Sequence, residues 1–318
     1  MAQKSDKKTT QTTEPTPQTD LQQMIGENTK ITLTIPWKDA EPAYKSARAK
    51  VAKTLKTDGF RKGKVPAELA EKLAGTEKII EEALQVVVPP VYQEVVTEAK
   101  KQPLTYPEFK PVSVELKQDW IIEAFIAERP EIKLKDYKKT VKTAIKEADK
   151  KIKETEEEHE KAHKEGKHAA DHDHNFTDEQ KKDYRLQHIY QAMVQETKPV
   201  IPELLIKHEV QADLDQLAKQ LSEVGLTFEE YMKRRNLAFE QLSQEMTINA
   251  LGKLQVAFLM DAVAQDAKIT IESAEIDTYI KEKVDAKVSD QFTKNPEYRR
   301  LLANTLLRQK IADYLLAL

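Results

Sequence analysis

Cysteine and long apolar runs are both missing from this 318-residue chain. Without cysteine there is no disulfide, thiolate nucleophile or Cys-ligated zinc, which favours a reducing compartment. No stretch reaches the roughly 18 apolar residues that a transmembrane helix needs, and the N-terminus lacks the apolar core of a signal peptide. We therefore expect a soluble, cytoplasmic protein with no membrane partner, in which residues 1–20 form a disordered polar tail.

Glycine and aromatic residues are also scarce. The chain has 7 glycines and 6% aromatic residues, whereas charged residues make up 33%. This balance favours long amphipathic helices with solvated faces over a compact, β-rich enzyme. The length is sufficient for two or three domains.

Alternating apolar residues predict a small sheet in the N-terminal third. The first strand is expected at 29–35, and two more at about 107–117 and 120–127. Helices are expected between them, at about 38–56, from Pro66 to Ala74, and from Thr76 with a bend or break at Pro89 and Pro90. Residues 21–130 are therefore predicted to be an α+β domain with a three-stranded antiparallel sheet.

The next part of the chain changes in character. Residues 140–165 are almost entirely Lys, Glu and Ala, which predicts one exposed helix with i,i+4 charge pairs. The sequence GKHAADHDHN, residues 166–175, interrupts that helix. We interpret residues 131–175 as a charged helical linker with a histidine-rich tip.

From residue 176 onward every pattern is helical. Thr227 and Glu230 form a capping-box pair, and the helix that they begin is predicted to run to about Ala264. Other helices are expected after Pro202, at 273–288, and from Pro296 to the C-terminus. Residues 176–318 are therefore predicted to form an all-α domain with long helical arms.

The sequence GFRKGKVP, residues 59–66, is unusually basic and rich in turn-forming residues. It does not match a phosphate-binding P-loop, because only three residues separate its glycines and Val65 follows Lys64. Between Lys38 and Lys64 there are nine cations and three anions, an excess of six positive charges. Such a patch attracts phosphate backbones, although a solvated helix face followed by a turn is the simpler interpretation of the composition.

The order of residues around this segment resembles bacterial trigger factor. The segment ITLTIPWKDAEPAYKSARAKVAKTLKTDGFRKGKVPAELAEKLAG follows the opening strand, helix and loop of that family. The segment PPVYQEVVTEAKKQPLTYPEF resembles the end of its ribosome-binding domain, and VIPELLIKHEV and KITIESAEIDTYI resemble its C-terminal helical domain. The resemblance covers about residues 29–138 and 197–318, and the basic loop is its most specific part.

This resemblance implies docking of the chain at the large ribosomal subunit, on proteins and rRNA at the tunnel exit. Arg61 and Lys62 would contact phosphates or carboxylates, and Phe60 would be an apolar anchor. Gly59 and Gly63 would supply turn geometry, and Lys64 adds a further cation. We refer to residues 59–64 as the docking segment.

The same resemblance indicates that one family domain is missing. Trigger factors carry an FKBP-like prolyl isomerase domain between their docking and helical domains. Here the interval 140–197 is dominated by Lys, Glu, His and Gln and shows no run of alternating β-branched residues. We therefore expect a form without that domain and without isomerase activity, and no cofactor.

Apolar residues on the C-terminal helices are more numerous than one core-facing stripe requires. A chaperone needs such residues to form an exposed surface for unfolded chains, and methionine adapts to varied partners. Core packing is the simpler interpretation for any single one. The candidate client-binding residues are Phe239, Met246, Phe258, Met260, Leu307 and Ile311.

Five histidines fall within residues 159–174. His159 and His163 are four residues apart on a predicted helix, and His172 and His174 flank an aspartate, so these four could bind zinc or nickel. A flexible, solvated segment with opportunistic metal affinity is the simpler interpretation, because little apolar material is present to fix the ligands.

The sequence thus favours an ATP-independent chaperone, not an enzyme, whose partners are the large ribosomal subunit and unfolded nascent polypeptides. A ribosome-associated assembly or interaction factor without client holding is one alternative, and a metal-binding protein is another. A weak homodimer is a further expectation.

Overall fold

In a computed structural model of the chain, the described residues are 21–55, 65–164, 176–283 and 292–318. They divide into two compact units. The bundle unit is drawn from Met1–Met24, Pro130–Val200 and Ile248–Leu318, and the sheet unit from Ile25–Arg129 and Ile201–Thr247. Each unit is assembled from separated stretches of the chain, and the predicted domain boundaries stay a prediction.

The elements follow one another in this order along the described chain. They are β1 (Ile25–Gly26), β2 (Thr29–Ile35), α1 (Trp37–Thr54), α2 (Ala67–Ala74), α3 (Thr76–Glu98), β3 (Glu108–Ser113), β4 (Trp120–Ile126), α4 (Tyr137–Lys164), α5 (Asp178–Thr197), β5 (Ile201–Pro202), α6 (Glu203–Glu223), α7 (Phe228–Arg235), α8 (Phe239–Asp266), α9 (Ser273–Lys283) and α10 (Pro296–Leu316).

The predicted three-stranded sheet is confirmed. Its strand order is β2-β4-β3, and both pairings are antiparallel, with Ile35 opposite Trp120 and Thr29 opposite Ile126. One face of the sheet packs on α1 and α3, around the fully buried Trp120. A second, two-stranded parallel pairing joins β1 to β5, and two-residue strands of this kind leave no periodicity that a sequence reading could detect.

Helix α3 runs through Pro89 and Pro90 without ending, so the predicted break does not occur. A proline inside a helix removes one backbone hydrogen bond and costs about 3 kcal/mol. Here the apolar face of the helix compensates, because Val88 is buried in the core and Val91 and Tyr92 pack against it.

The long helix predicted from Thr227 is divided in two. Helix α7 ends at Arg235, Asn236 takes the left-handed conformation with φ of 49°, and α8 begins at Phe239. Asparagine tolerates this conformation better than other non-glycine residues. We call residues 203–247, which comprise α6, α7 and the first residues of α8, the arm; they are grouped with the sheet unit.

Helix α4 is a packed element of the bundle unit, which corrects its interpretation as an exposed linker. Val141, Ala144 and Ala148 are buried, and the ion pairs Arg185–Asp149 and Lys181–Glu156 join α4 to α5. The buried stripe consists of Tyr137, Val141, Ala144, Ala148 and Ile152, and these few apolar side chains are a weak signal among so many charges. The main core of this unit draws on α4, α5, α8 and α10.

Candidate functional site

The docking segment lies outside the described residues. Gly59, Phe60, Arg61, Lys62, Gly63 and Lys64 therefore keep their predicted roles as a proposal. What the structure describes are the two elements on either side, α1, which ends at Thr54, and α2, which begins at Ala67. The packing of these two helices fixes the positions of the described residues that flank the docking segment.

A small apolar cluster joins these two helices next to the segment. Ala52 on α1, Ala70 on α2 and Val65, which precedes α2, are buried together, and Leu55 and Leu69 pack against them. Leu55 and Val65 are the described residues that come immediately before and after residues 56–64. The cluster therefore holds Leu55 and Val65, the described residues that flank residues 56–64, together.

A hydrogen-bonded network joins the same two helices one turn away. The Tyr44 hydroxyl donates to Glu71 Oε1 at 2.6 Å, and Arg48 Nη1 donates to Glu71 Oε2 at 3.2 Å. The Tyr44 hydrogen bond holds the pKa of Glu71 below its usual value. Burial, followed by the bond to Glu71, raises the pKa of Tyr44 to about 12.

This network was missed by the sequence reasoning. From the sequence alone, Tyr44 falls on the apolar stripe of its helix, and Arg48 and Glu71 are indistinguishable from ordinary surface charges. Pairing across 23 residues between two helices leaves no local signal. The structure therefore adds three residues to the candidate site.

Several cations of the basic patch are already paired. Lys45 lies 3.0 Å from Glu41 on the same helix, and Lys50 lies 2.5 Å from Glu82 on α3. Pairs this exposed contribute little to stability, so both lysines can exchange their partners for another anion. The helix next to the docking segment thus presents cations on a solvated face.

The arm leaves apolar side chains in contact with solvent. Val224 is 69% exposed and Phe239 is 61% exposed. Helix α7 has no buried residue along its described length, although Phe228, Tyr231 and Met232 are half-buried. A contiguous helical segment with so many partly exposed apolar side chains is typical of a surface that binds other chains.

The candidate client-binding residues divide into three groups. Phe239 is exposed, and Met246, Phe258 and Leu307 are half-buried. Met260 and Ile311 are 7% and 1% exposed and lie in the core of the bundle unit. Because core contacts already cover those two side chains, we remove them from the candidate surface.

The sheet unit also has an apolar cleft that the sequence did not indicate. It has a volume of about 410 Å³ and lies between α3 and β3. The Phe109 ring meets Tyr92 edge-on at a centroid distance of 5.3 Å beside it. The apolar residues that line the cleft are Leu84, Val88, Pro89, Phe109, Pro111 and Ile122.

The candidate metal ligands are not brought together by anything that the structure describes. His159 and His163 fall within the bounds of α4, but their side chains are not among those described, and His172 and His174 lie outside the described residues. Within the described ranges, no group of three or more His, Asp or Glu side chains could hold a metal ion. The metal site stays a prediction.

Among the described helices, none is both long and apolar enough to cross a bilayer. Together these features define a mostly helical protein with a small antiparallel sheet and an open apolar surface.

Two family models match the chain. The model of the bacterial trigger factor protein (TF) matches residues 18–164, and the model of its C-terminus matches residues 174–317. The chain therefore belongs to the bacterial trigger factor family. Residues 165–173 are all that separates the two matches, and a further domain of typical size, about 50 residues or more, does not fit there.

Individual relatives agree with this assignment. The trigger factors of Staphylococcus aureus strains JH9, Newman and JH1 are each 36% identical to this chain over 108 residues. Each match covers 34% of this chain and 25% of the relative, so the chain spans only about a quarter of the length of these curated relatives.

One solved structure is similar along most of the chain. It comes from a study of promiscuous substrate recognition in folding and assembly activities of the trigger factor chaperone. The likeness has a TM-score of 0.50 and 12% sequence identity, and it covers 91% of this chain and 96% of that chain. At this identity the likeness shows the fold alone.

Proposed function

We propose that this chain is a ribosome-docked chaperone that shields unfolded nascent polypeptides. Membership of the trigger factor family makes a chaperone role the first expectation. The observation that carries the proposal is the arm, on which Val224 and Phe239 remain largely exposed in the folded chain.

The arm has the physical properties that a holding surface requires. Its half-buried Met232 and Met246 have flexible side chains that adapt to clients of varied shape. Charged residues such as Glu229 and Lys233, which pair at 3.0 Å, border the apolar side chains. A charged border keeps an exposed apolar surface soluble, so the arm can hold a client without self-association.

Docking is assigned to the docking segment. Arg61 and Lys62 would contact phosphates or carboxylates on the rRNA and proteins of the large ribosomal subunit, and Phe60 would fill an apolar site. The cations of α1 would add to the attraction of the phosphate backbone. Because the sequence has no nucleotide-binding motif, client holding is proposed to be independent of ATP and to take place in the cytoplasm.

Catalysis has no part in this proposal. The chain is proposed to lack prolyl isomerase activity, because no interval between the two family matches accommodates an isomerase domain. Robust isomerisation of a proline peptide by the purified full chain would contradict this statement.

The docking assignment is tested by co-sedimentation with purified large ribosomal subunits. The wild-type chain is compared with a variant in which Phe60, Arg61 and Lys62 are all changed to Ala. We expect the variant to remain in the supernatant and to suppress aggregation of an unfolded client as well as the wild type does. Equal sedimentation of both proteins would refute the assignment.

An assembly factor is the second candidate function. The solved structure mentioned above is associated with assembly as well as folding activities, and an assembly factor would use the same docking segment without holding unfolded clients. Failure of the full chain to suppress client aggregation, together with normal ribosome binding, would favour it. The same preparation reports, by sedimentation velocity, whether the free chain forms the expected weak homodimer.

A further inference from the structure

We propose that Glu71 is a positioning residue for ribosome docking, acting through Tyr44 and Arg48. The inference rests on the proposed docking function. It concerns the two helices on either side of the docking segment, not the segment itself. One carboxylate on α2 would fix the position of α2 against α1, and thereby the separation of the two chain ends between which the docking segment runs.

The geometry of Glu71 supports this role. Its two oxygens accept from two different residues of α1, Oε1 from the Tyr44 hydroxyl at 2.6 Å and Oε2 from Arg48 at 3.2 Å. One carboxylate thus accepts two hydrogen bonds from two successive turns of the neighbouring helix, and this restricts both the rotation and the translation of α2 relative to α1. Bonds that involve a charged group are about twice as strong as neutral ones.

The apolar contacts at the same place are too small to do this alone. The buried members of the cluster between α1 and α2 are Ala52, Val65 and Ala70. Hydrophobic stabilisation scales with the apolar area that is buried. Alanine and valine offer little area, and Leu55 and Leu69 are only partly buried. Helix α2 also has only eight residues, so it gains little from its own helical hydrogen bonds.

Arg48 makes the network depend further on Glu71. Its Nε–H is buried and has no hydrogen-bond partner among the described residues. Glu71, whose Oε2 lies 3.2 Å from Arg48 Nη1, is the anion that pairs with the Arg48 guanidinium. Neutralising Glu71 would leave a partly buried cation without its counter-charge, which is more costly than losing a hydrogen bond between neutral groups.

A fixed separation of the chain ends matters because binding has an entropic cost. A segment whose ends are held in place loses less freedom on binding than one whose ends move. Glu71 is therefore expected to change affinity without touching the ribosome. Direct ion contacts, by contrast, change both the affinity and its dependence on salt.

The experiment compares Glu71→Gln and Tyr44→Phe with the matched control Glu41→Gln. The control removes an exposed pair with Lys45 on the same helix. The dissociation constant for purified large ribosomal subunits is measured with the full chain at several salt concentrations, next to the variant in which Phe60, Arg61 and Lys62 are all alanine.

We expect Glu71→Gln to weaken binding about five- to tenfold and Tyr44→Phe about threefold, from the loss of one charge-assisted hydrogen bond. The slope of log Kd against log salt should stay at the wild-type value, whereas Arg61→Ala and Lys62→Ala should each reduce it by about one. The double variant Tyr44→Phe/Glu71→Ala should bind no more weakly than Glu71→Ala alone, because Glu71→Ala already removes the acceptor of the Tyr44 hydroxyl. Glu41→Gln should bind within about twofold of the wild type.

Other outcomes are distinguishable. Wild-type affinity for Glu71→Gln and Tyr44→Phe, with the triple alanine variant unable to bind, would refute the positioning role and leave docking intact. Binding of the triple alanine variant would refute docking, and this inference with it. If circular dichroism shows that Glu71→Gln unfolds the sheet unit, Tyr44→Phe, which removes a single oxygen, decides the question.

Discussion

The bundle unit and the arm use the same kind of amphipathic helix, but they bury different fractions of it. In the bundle unit, Ile189, Leu259 and Leu315 from three helices are completely buried against one another. In the arm, α7 has no buried residue and Phe239 projects into solvent. Helix α8 contains both situations, since its first residues belong to the arm and its later ones to the bundle core.

This contrast indicates that apolar residues have two different roles in the chain. In the bundle unit they stabilise the fold, because removing them from water is their main contribution to the free energy of folding. In the arm, the exposed ones such as Val224 and Phe239 contribute little to folding, and we propose that they bind another chain. The two roles separate when stability and client holding are measured on the same variants.

The largest effect on stability is expected in the bundle core. Leu259→Ala deletes a completely buried side chain and should lower the free energy of unfolding by about 3 kcal/mol. Urea denaturation followed by circular dichroism measures this loss. At temperatures where the variant is still folded, it should suppress client aggregation as well as the wild type does. If client binding is lost together with stability, the bundle unit and the arm do not have separate roles.

The opposite pattern is expected in the arm. The double variant Val224→Ala/Phe239→Ala should change the free energy of unfolding by less than about 0.5 kcal/mol, since both side chains are exposed. Its affinity for an unfolded client should fall about tenfold, from lost apolar contact area. Fluorescence anisotropy with a labelled unfolded protein measures the affinity.

Leu301→Ala is the matched control for that variant. Leu301 is 65% exposed on α10 of the bundle unit, so exposure alone does not distinguish it from Phe239. We expect this variant to keep wild-type stability and wild-type client affinity. A loss as large as that of the arm variant would mean that clients bind any exposed apolar residue rather than the arm.

A smaller effect is expected at the start of α7. The Thr227 hydroxyl accepts from the Glu230 N–H at 3.2 Å, and the Thr227 N–H donates to Glu230 Oε2 at 2.9 Å. Thr227→Ala removes this cap and should cost the helix about 1 kcal/mol. Hydrogen exchange of the α7 amides should quicken, while the amides of α5 keep their protection.

These elements also show how far the sequence predicts the structure. The three-stranded sheet and the capping box of α7 follow local rules of alternation and capping, and both are found as predicted. The break at Asn236 has a local signal, since three cations followed by asparagine are common at a helix end. The apolar pattern on both sides of Asn236, however, favours one continuous helix.

Other features depend on contacts between distant residues. The burial of the apolar stripe of α4 depends on its contact with α5, and the role of Glu71 is recognisable only once α1 and α2 are packed together. In the same way, tertiary packing buries Met260 and Ile311 and leaves Phe239 exposed. An apolar residue on a helix does not indicate by itself which of the two roles it has.

The smallest effect expected is a pH dependence confined to the arm. The Thr227 N–H lowers the pKa of Glu230 below its ordinary value of 4.5. A carboxylate with a lowered pKa in the folded state stabilises the fold above its unfolded pKa, and this contribution is lost as the pH falls through the folded value. Backbone NMR shifts of α7 should therefore move below pH 4.5 in the wild type. In Thr227→Ala the transition should shift upward only in part, because alanine keeps the N–H donor but lacks the hydroxyl, which also donates to Glu230 Oε2 at 3.0 Å and also lowers its pKa.

The central claim is that the docked chain presents the arm to an emerging polypeptide. It is tested most directly by photo-crosslinking, with a photoreactive residue at position 239 or at position 301, on ribosomes that carry a stalled unfolded nascent chain. The account predicts cross-links to the nascent chain from position 239, few from position 301, and none from either when Phe60, Arg61 and Lys62 are alanine. Equal cross-linking from both positions, or cross-linking that survives the triple alanine change, would contradict it.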